Sequence, residues 1–266
     1  MNGSEQSLRE EIVEVGRRLY EARLIVAGDG NISVRLADGN FLVTPTGVNK
    51  GFLKPEMLVV TDAKGAGLPG QKYRASSEVA MHVVIYAERP DVKAVVHAHP
   101  PVGTGFAAAG MPLDRALVSE VVLTLGCIPL AQYGTPSTAE LPEAIRPLCR
   151  KHDAILLANH GAVTSGGDLM TAFDRMEILE HFARISLVAH TLGGGRDIPA
   201  PLISKLMDVR EKAGFMAPDR RDQDCRFCAP EIPECGEAAE PVYTMTRREL
   251  IELVTRVARL GTDRPV

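Results

Sequence analysis

Two histidines, His97 and His99, stand two residues apart in the apolar run at 94–99. On a β-strand, side chains at that spacing leave the same face, so two imidazole nitrogens can converge on one ion. Strand-end histidines with hydrogen-bonding roles show the same spacing, and the pair alone leaves both readings open. His160 adds a third imidazole, in Asn159-His160-Gly161, where another apolar run breaks into a turn of the kind that displays functional side chains. Three histidines leave a fourth position on a cation for substrate or water, the pattern of a catalytic site, and they favour zinc over harder ions such as magnesium. Glu78 follows Ser76-Ser77 at the start of an expected helix. A carboxylate there can serve as a metal ligand or proton acceptor, or simply as a first-turn acid favoured by the helix dipole. His82 lies one helical turn further on, which makes Glu78 with His82 a lesser candidate pair for a metal.

An anion site is suggested by several turns. Gly30-Asn31 and Thr46-Gly47 lie in turns, and Ser76-Ser77 come at a helix start. Backbone amides, small hydroxyls and a helix N-terminus together can hold a phosphate without lysine. Each piece singly is also ordinary turn or cap chemistry.

The elements that must position these residues are readable in outline. Residues 7–26 carry Leu8, Ile12, Val15, Leu19 and Ala22 at helical spacing. Residues 32–36, 41–44 and 57–61 are short, β-branched and separated by Asp38-Gly39 and Pro45-x-Gly47, which predicts antiparallel strands joined by tight turns. Helices are expected at 76–87, 102–109, 139–151, 168–192 and 202–214, and strands at 94–99, 128–133 and 154–159. The helix at 76–87 stops before Arg89-Pro90, because proline disfavours helical geometry at the preceding residue. The long helix ends at Gly193-Gly194-Gly195, with Ile178, Phe182, Ile185 and Val188 on its apolar side.

The 266 residues are 45% hydrophobic, enough for one large core. A net charge of −4 gives no basic surplus for a nucleic-acid backbone or an anionic membrane. No run of about 18 apolar residues offers a membrane span, and the start MNGSEQSLREE lacks the order of a signal peptide, so a cytoplasmic protein is expected. The cysteine count of five is odd, and Cys127 and Cys149 are far from the rest, so reduced thiols are expected rather than a secreted disulfide framework.

In order and spacing, Gly30-Asn31-Ile32-Ser33, Thr44-Pro45-Thr46-Gly47, Ser76-Ser77-Glu78, His97-Ala98-His99-Pro100 and Asn159-His160-Gly161 resemble the class II aldolase/adducin family over roughly residues 8–217. The resemblance implies an α/β fold, a three-layer α/β/α arrangement with a mainly antiparallel central sheet. It also implies a homotetramer with active sites between subunits. His97, His99 and His160 would hold Zn2+, Glu78 would be the acid/base, and Asn31, Thr46, Gly47, Ser76 and Ser77 would hold the phosphate of a small sugar-phosphate substrate. The implied reaction is reversible cleavage of a ketose 1-phosphate, such as L-fuculose 1-phosphate, to dihydroxyacetone phosphate and an aldehyde such as L-lactaldehyde. Relatives on the same scaffold act as decarboxylases, epimerases or dehydratases. Adducin-like members are non-catalytic interaction modules and typically lack the metal histidines. The family's best-known aldolase supplies a tyrosine acid in the segment that here reads Leu117-Val118-Ser119-Glu120-Val121. No tyrosine is present, and Glu120 is the candidate replacement.

Beyond this domain, assigned to 1–217, residues 218–243 are rich in charge, Pro and Cys and read as a flexible linker. Within 244–266, Thr246 and Glu249 form a capping box, and Leu250, Val254 and Val257 share one helical face beside Leu253 and Leu260. That short amphipathic helix resembles the encapsulation peptides that bring enzymes to a bacterial microcompartment shell protein; docking on its own oligomer is the alternative. Cys225-x-x-Cys228 with Cys235 makes an incomplete zinc set.

Overall fold

In the computed structural model, residues 3–215 and Arg248 are described, and residues 3–215 lie within one compact unit, Met1–Pro230. The expected linker and C-terminal helix, with Cys225, Cys228 and Cys235, fall outside the described residues.

The chain order is α1 (Gly3–Glu21), β1 (Asn31–Arg35), β2 (Phe41–Val43), β3 (Val59–Thr61), α2 (Val79–Glu88), β4 (Ala94–Ala98), α3 (Pro101–Ala108), α4 (Ser119–Thr124), β5 (Leu130–Ala131), α5 (Glu140–Cys149), β6 (Ala154–Leu157), β7 (Gly161–Gly166), α6 (Leu169–Thr191) and α7 (Ala200–Lys212). The strands form one seven-stranded sheet in the order β3-β2-β1-β4-β7-β6-β5, antiparallel except where β5 meets β6.

Period-two alternation sorts the side chains to the two faces. Ile32, Val34, Ala94, Val96, Leu156 and Ala162 pack on one side with Ile12, Val15 and Leu19 of α1 and Phe173, Met176 and Leu179 of α6. Val95, Ile155, Leu157 and Val163 face the other way, onto Met81, Ile85 and Tyr86 of α2 and Leu141 and Ile145 of α5. The α/β architecture with helices on both faces of a mainly antiparallel sheet is thus the one expected. A smaller cluster joins Ala116, Val122 and Cys127 to Ile203 and Met207 of α7.

Several local expectations are corrected. Helix α2 begins at Val79 rather than 76, because the Ser76 hydroxyl and the Glu78 backbone form the turn that precedes it. Pro55–Met57 is a short 3-10 turn, which leaves the strand only Val59–Thr61. The run at 128–133 contributes a two-residue strand, since only Leu130 and Ala131 reach their partners Leu156 and Leu157. Strand β7 and helix α4 were not anticipated. Val188, placed on the apolar side of α6, is exposed, as are Leu187 and Leu192 beside it: no buried residue of the helix lies beyond Ser186. Cys149 is free and buried, whereas Cys127 is disulfide-bonded, against the expectation of reduced thiols throughout.

Candidate active site

The site forms where β4, the β6–β7 turn and the entrance to α2 meet. His97 pairs in register with Asn31 of β1 on one side and Val163 of β7 on the other, so all three side chains share the sheet face that α2 covers. His160 is carried by the three-residue turn between β6 and β7, in which Asn159 adopts φ 55°. Asparagine tolerates that left-handed conformation better than most residues. The following Gly161 permits close approach: a Cβ there would stand 2.6 Å from the Ala98 carbonyl oxygen and 2.7 Å from Cδ2 of His99. Gly30 serves similarly, with φ 69° and an imagined Cβ 2.7 Å from the His97 carbonyl oxygen.

These constraints bring His97, His99 and His160 together, one nitrogen from each lying within 4.8 Å of the others. His97 is fully buried and donates from Nδ1 to the Ala162 carbonyl at 2.9 Å, which turns Nε2 toward His99 and Glu78. His99 Nε2 is 3.2 Å away from His97 Nε2. The Glu78 carboxylate lies across the group, with Oε2 3.4 Å from His97 Nε2 and Oε1 3.2 Å from His160 Nε2. Asn31 donates from Nδ2 to Glu78 Oε2 at 2.9 Å. The side chain of Glu78 does not cap α2, so its first-turn position is used to aim it at the histidines.

The electrostatics agree with this arrangement. Burial would raise the Glu78 carboxyl, but the adjoining His160 and His97 imidazoles outweigh it and hold the group well below the usual carboxylate range. Burial, followed by the neighbouring imidazoles His97 and His160, pulls His99 down to about 4 despite Asp29, whose Oδ2 is 3.4 Å from its Nδ1. A neutral imidazole is the form that binds metal. The donor set fits a divalent cation. Two inward-facing nitrogens 3.2 Å apart need a shared proton or ion between them, and Glu78 Oε1 is buried without a well-directed hydrogen bond.

The turns singled out for an anion also meet. Pro45 bridges Ala75, the Ser76 amide donates to the Thr44 carbonyl at 3.1 Å, and the Thr46 amide donates to the Arg74 carbonyl at 3.0 Å. Thr46, Gly47 and Ser77 are exposed, while Asn31 and Ser76 are buried. His82 takes no part in the histidine group. Its Nδ1 lies 2.6 Å from the Ser33 hydroxyl, which is 2.8 Å from the Tyr86 hydroxyl, and burial pulls the imidazole down to about 3. Glu120 sits exposed in the first turn of α4. Two charged residues of this region were not anticipated from the sequence: Asp29, beside His99, and the buried Lys50, whose Nζ donates to the neighbouring Gly28 carbonyl. Both lie in turns without apolar periodicity, so their proximity is a product of the fold. A cavity of about 400 Å³ lined by Arg9, Gln71 and Tyr73 lies elsewhere; Gln71 spends its hydrogen bonds on backbone groups, and Arg9 divides its own between the Glu5 carboxylate and the Pro55 and Leu58 carbonyls.

Residues 10–187 match the family described as Class II Aldolase and Adducin N-terminal domain. The chain belongs to the class II aldolase/adducin family. Among its relatives, the 3-oxo-tetronate 4-phosphate decarboxylase of Escherichia coli strain K12 is 36% identical over 189 residues, 69% of this chain and 88% of that protein. An L-fuculose phosphate aldolase of Methanococcus maripaludis is 33% identical over 183 residues, 68% of this chain and 97% of that protein. A solved L-fuculose 1-phosphate aldolase superposes with a TM-score of 0.71 at 28% identity, covering 76% of this chain and 95% of its own. The chain is therefore a class II aldolase superfamily enzyme whose histidine triad suits a divalent metal. No helix among the described residues is long and apolar enough to cross a membrane.

Proposed function

We propose that this enzyme is a zinc-dependent lyase that breaks a carbon–carbon bond of a phosphorylated keto-sugar, reversibly cleaving a ketose 1-phosphate to dihydroxyacetone phosphate and an aldehyde. The observation that carries the reading is the Glu78 carboxylate resting on two of three converging imidazoles. His97, His99 and His160 would hold the cation, which when bound supplies Lewis-acid polarisation of the substrate ketone. Glu78, steered by Asn31, stands where it can exchange the proton at the carbon left electron-rich by bond cleavage. Asn31, Thr46, Gly47, Ser76 and Ser77 would orient the phosphate. Glu120 is the candidate group that takes the hydroxyl proton as the aldehyde forms and returns it to the aldehyde oxygen in the reverse, condensation direction; its exposure on α4 suits a group that serves a neighbouring subunit's site in a homotetramer.

Decarboxylation of a keto-acid phosphate is the second reading, supported by the 36% identity to the decarboxylase and by the lack of a phenol at residues 117–121. Carbon dioxide leaves from a carboxylate, with no hydroxyl proton to be taken as the bond breaks. The aldehyde-forming reaction stands first because of the C-terminal sequence pattern. An encapsulation peptide gives most advantage to an enzyme whose product, such as L-lactaldehyde, is reactive and worth retaining, which would place the protein in the cytoplasm inside a microcompartment.

The deciding assay couples dihydroxyacetone phosphate release to a reporter, using zinc-loaded protein and L-fuculose, L-rhamnulose and 5-deoxyribulose 1-phosphates, with 3-oxo-tetronate 4-phosphate alongside. Chelator-sensitive release from a ketose 1-phosphate is the expected result. Release from the keto-acid phosphate alone would replace the aldolase reading with the decarboxylase.

A further inference from the structure

Every candidate phosphate contact named so far is neutral: Asn31, Thr46, Gly47, Ser76 and Ser77 offer amides and hydroxyls only. A phosphate dianion brought beside Glu78 and Asp29 adds to negative charge already present, and in a partly buried site that repulsion is felt strongly. A divalent cation offsets the two carboxylates and leaves the phosphate without a counter-charge.

Lys50 supplies one. It opens a short 3-10 turn, Lys50–Phe52, whose cap is the Asn49 side chain accepting from the Gly51 amide at 2.9 Å. The backbone is pinned from behind by α1, where Gly16 leaves room for the Lys50 carbonyl; a Cβ on Gly16 would come within 2.5 Å of it. The side chain is 2% exposed and ends with Nζ donating to the Gly28 carbonyl at 2.5 Å. Among the described residues this is the one hydrogen bond of an ammonium that carries three donors. Gly28 packs on Gly47, a Cβ on the former lying 3.8 Å from the latter's backbone carbons, so the ammonium is anchored next to the turn already assigned to the anion. Burial pulls its pKa down to about 8, against the pull of Asp29 and Glu78, whose charges reach it. A lysine buried with donors to spare, beside an anion turn and within reach of two carboxylate charges, is costly as a mere packing element.

We propose that Lys50 is a substrate-binding residue whose ammonium, fixed on the Gly28 carbonyl, receives the substrate phosphate at the Gly28–Gly47 edge of the cradle. The inference rests on the site assigned above and is indifferent to whether an aldehyde or carbon dioxide leaves.

Inorganic phosphate is the probe. Its binding to the full-length, metal-analysed protein is measured by calorimetry, with competition by dihydroxyacetone phosphate, for the unaltered chain, Lys50→Met and Lys50→Arg. The expected result is at least a tenfold weaker phosphate affinity in Lys50→Met at unchanged metal content, partly restored in Lys50→Arg. Phosphate affinity within twofold of the unaltered chain in Lys50→Met would overturn the proposal, as would loss of metal with phosphate affinity retained, the mark of a counter-ion to Asp29 and Glu78. If Lys50→Met does not fold, Lys50→Gln carries the same comparison. Phosphate binding to the unaltered chain that dihydroxyacetone phosphate does not displace would overturn the site assignment and Lys50 with it. An active lyase whose phosphate affinity ignores position 50 would overturn Lys50 alone.

Discussion

At the scale of single residues, the site separates groups that would hold a metal from the group that would move a proton. His97 has no spare function: Nδ1 is committed to the Ala162 carbonyl and Nε2 points inward. His97→Ala should therefore remove bound metal and turnover together. Glu78→Gln keeps an oxygen for the Asn31 amide and nearly the same volume, so metal content and the melting temperature should stay close to those of the unaltered protein. Turnover should fall by roughly 10²–10⁴, the usual contribution of a positioned acid/base. Metal analysis and steady-state kinetics on the two variants check this; a Glu78→Gln protein that loses its metal would make Glu78 a ligand instead. The chemistry-bearing residues were legible from residue type and spacing because His97 in β4, His99 just past its end and His160 in a turn make up a metal-ligand set by type. Lys50 and Asp29 were not. A lysine in a turn carries no periodic signal, and only the packing of Gly16 on its carbonyl and Gly28 on Gly47 shows why it is buried.

At the scale of elements, the histidines meet because β4 and the β6–β7 turn approach more closely than side chains would allow. Gly161→Ala forces a Cβ to within 2.6 Å of the Ala98 carbonyl and against the His99 ring, and neither the paired backbone of β4 nor an imidazole crowded by two others can yield cheaply. The variant should fold, with a melting temperature lowered by several degrees for a cost of about 1–3 kcal/mol, and should bind metal at least tenfold more weakly. Metal titration followed by thermal melting tests both; unchanged metal affinity would mean that His99 does not share the ion. Strand β7 itself went unread in the sequence for a related reason. Its residues, Gly-Ala-Val-Thr-Ser-Gly, are all buried between β4 and β6, so they show no polar alternation, and their small size is what a strand beneath α6 and beside a crowded histidine group requires. Helix α4 is six residues long, too short for helical periodicity to stand out from an apolar run.

At the scale of the whole molecule, the family match ends at residue 187, while the chain continues to residue 266. Helix α7, beyond that match, is bound to the domain through Ile203 and Met207 and through Arg210, which donates to the Val122 and Leu125 carbonyls, so it is part of the folded unit. Residues 219–266, Arg248 apart, lie outside the described residues and are read from the sequence alone. An isolated helix of about 15 residues is marginal in water, and an apolar stripe of Leu250, Leu253, Val254, Val257 and Leu260 is worth keeping only against a partner surface. The catalytic residues assigned here all lie before residue 188, so deletion of 219–266 should leave kcat and KM for the ketose 1-phosphate within about twofold, given that the site's groups are untouched. Co-purification with microcompartment shells should be abolished in the same deletion. A truncated enzyme that still travels with shells would assign the targeting to the domain surface, whereas one that loses its oligomeric state, read by light scattering, would make the terminal stripe an element of the enzyme's own assembly.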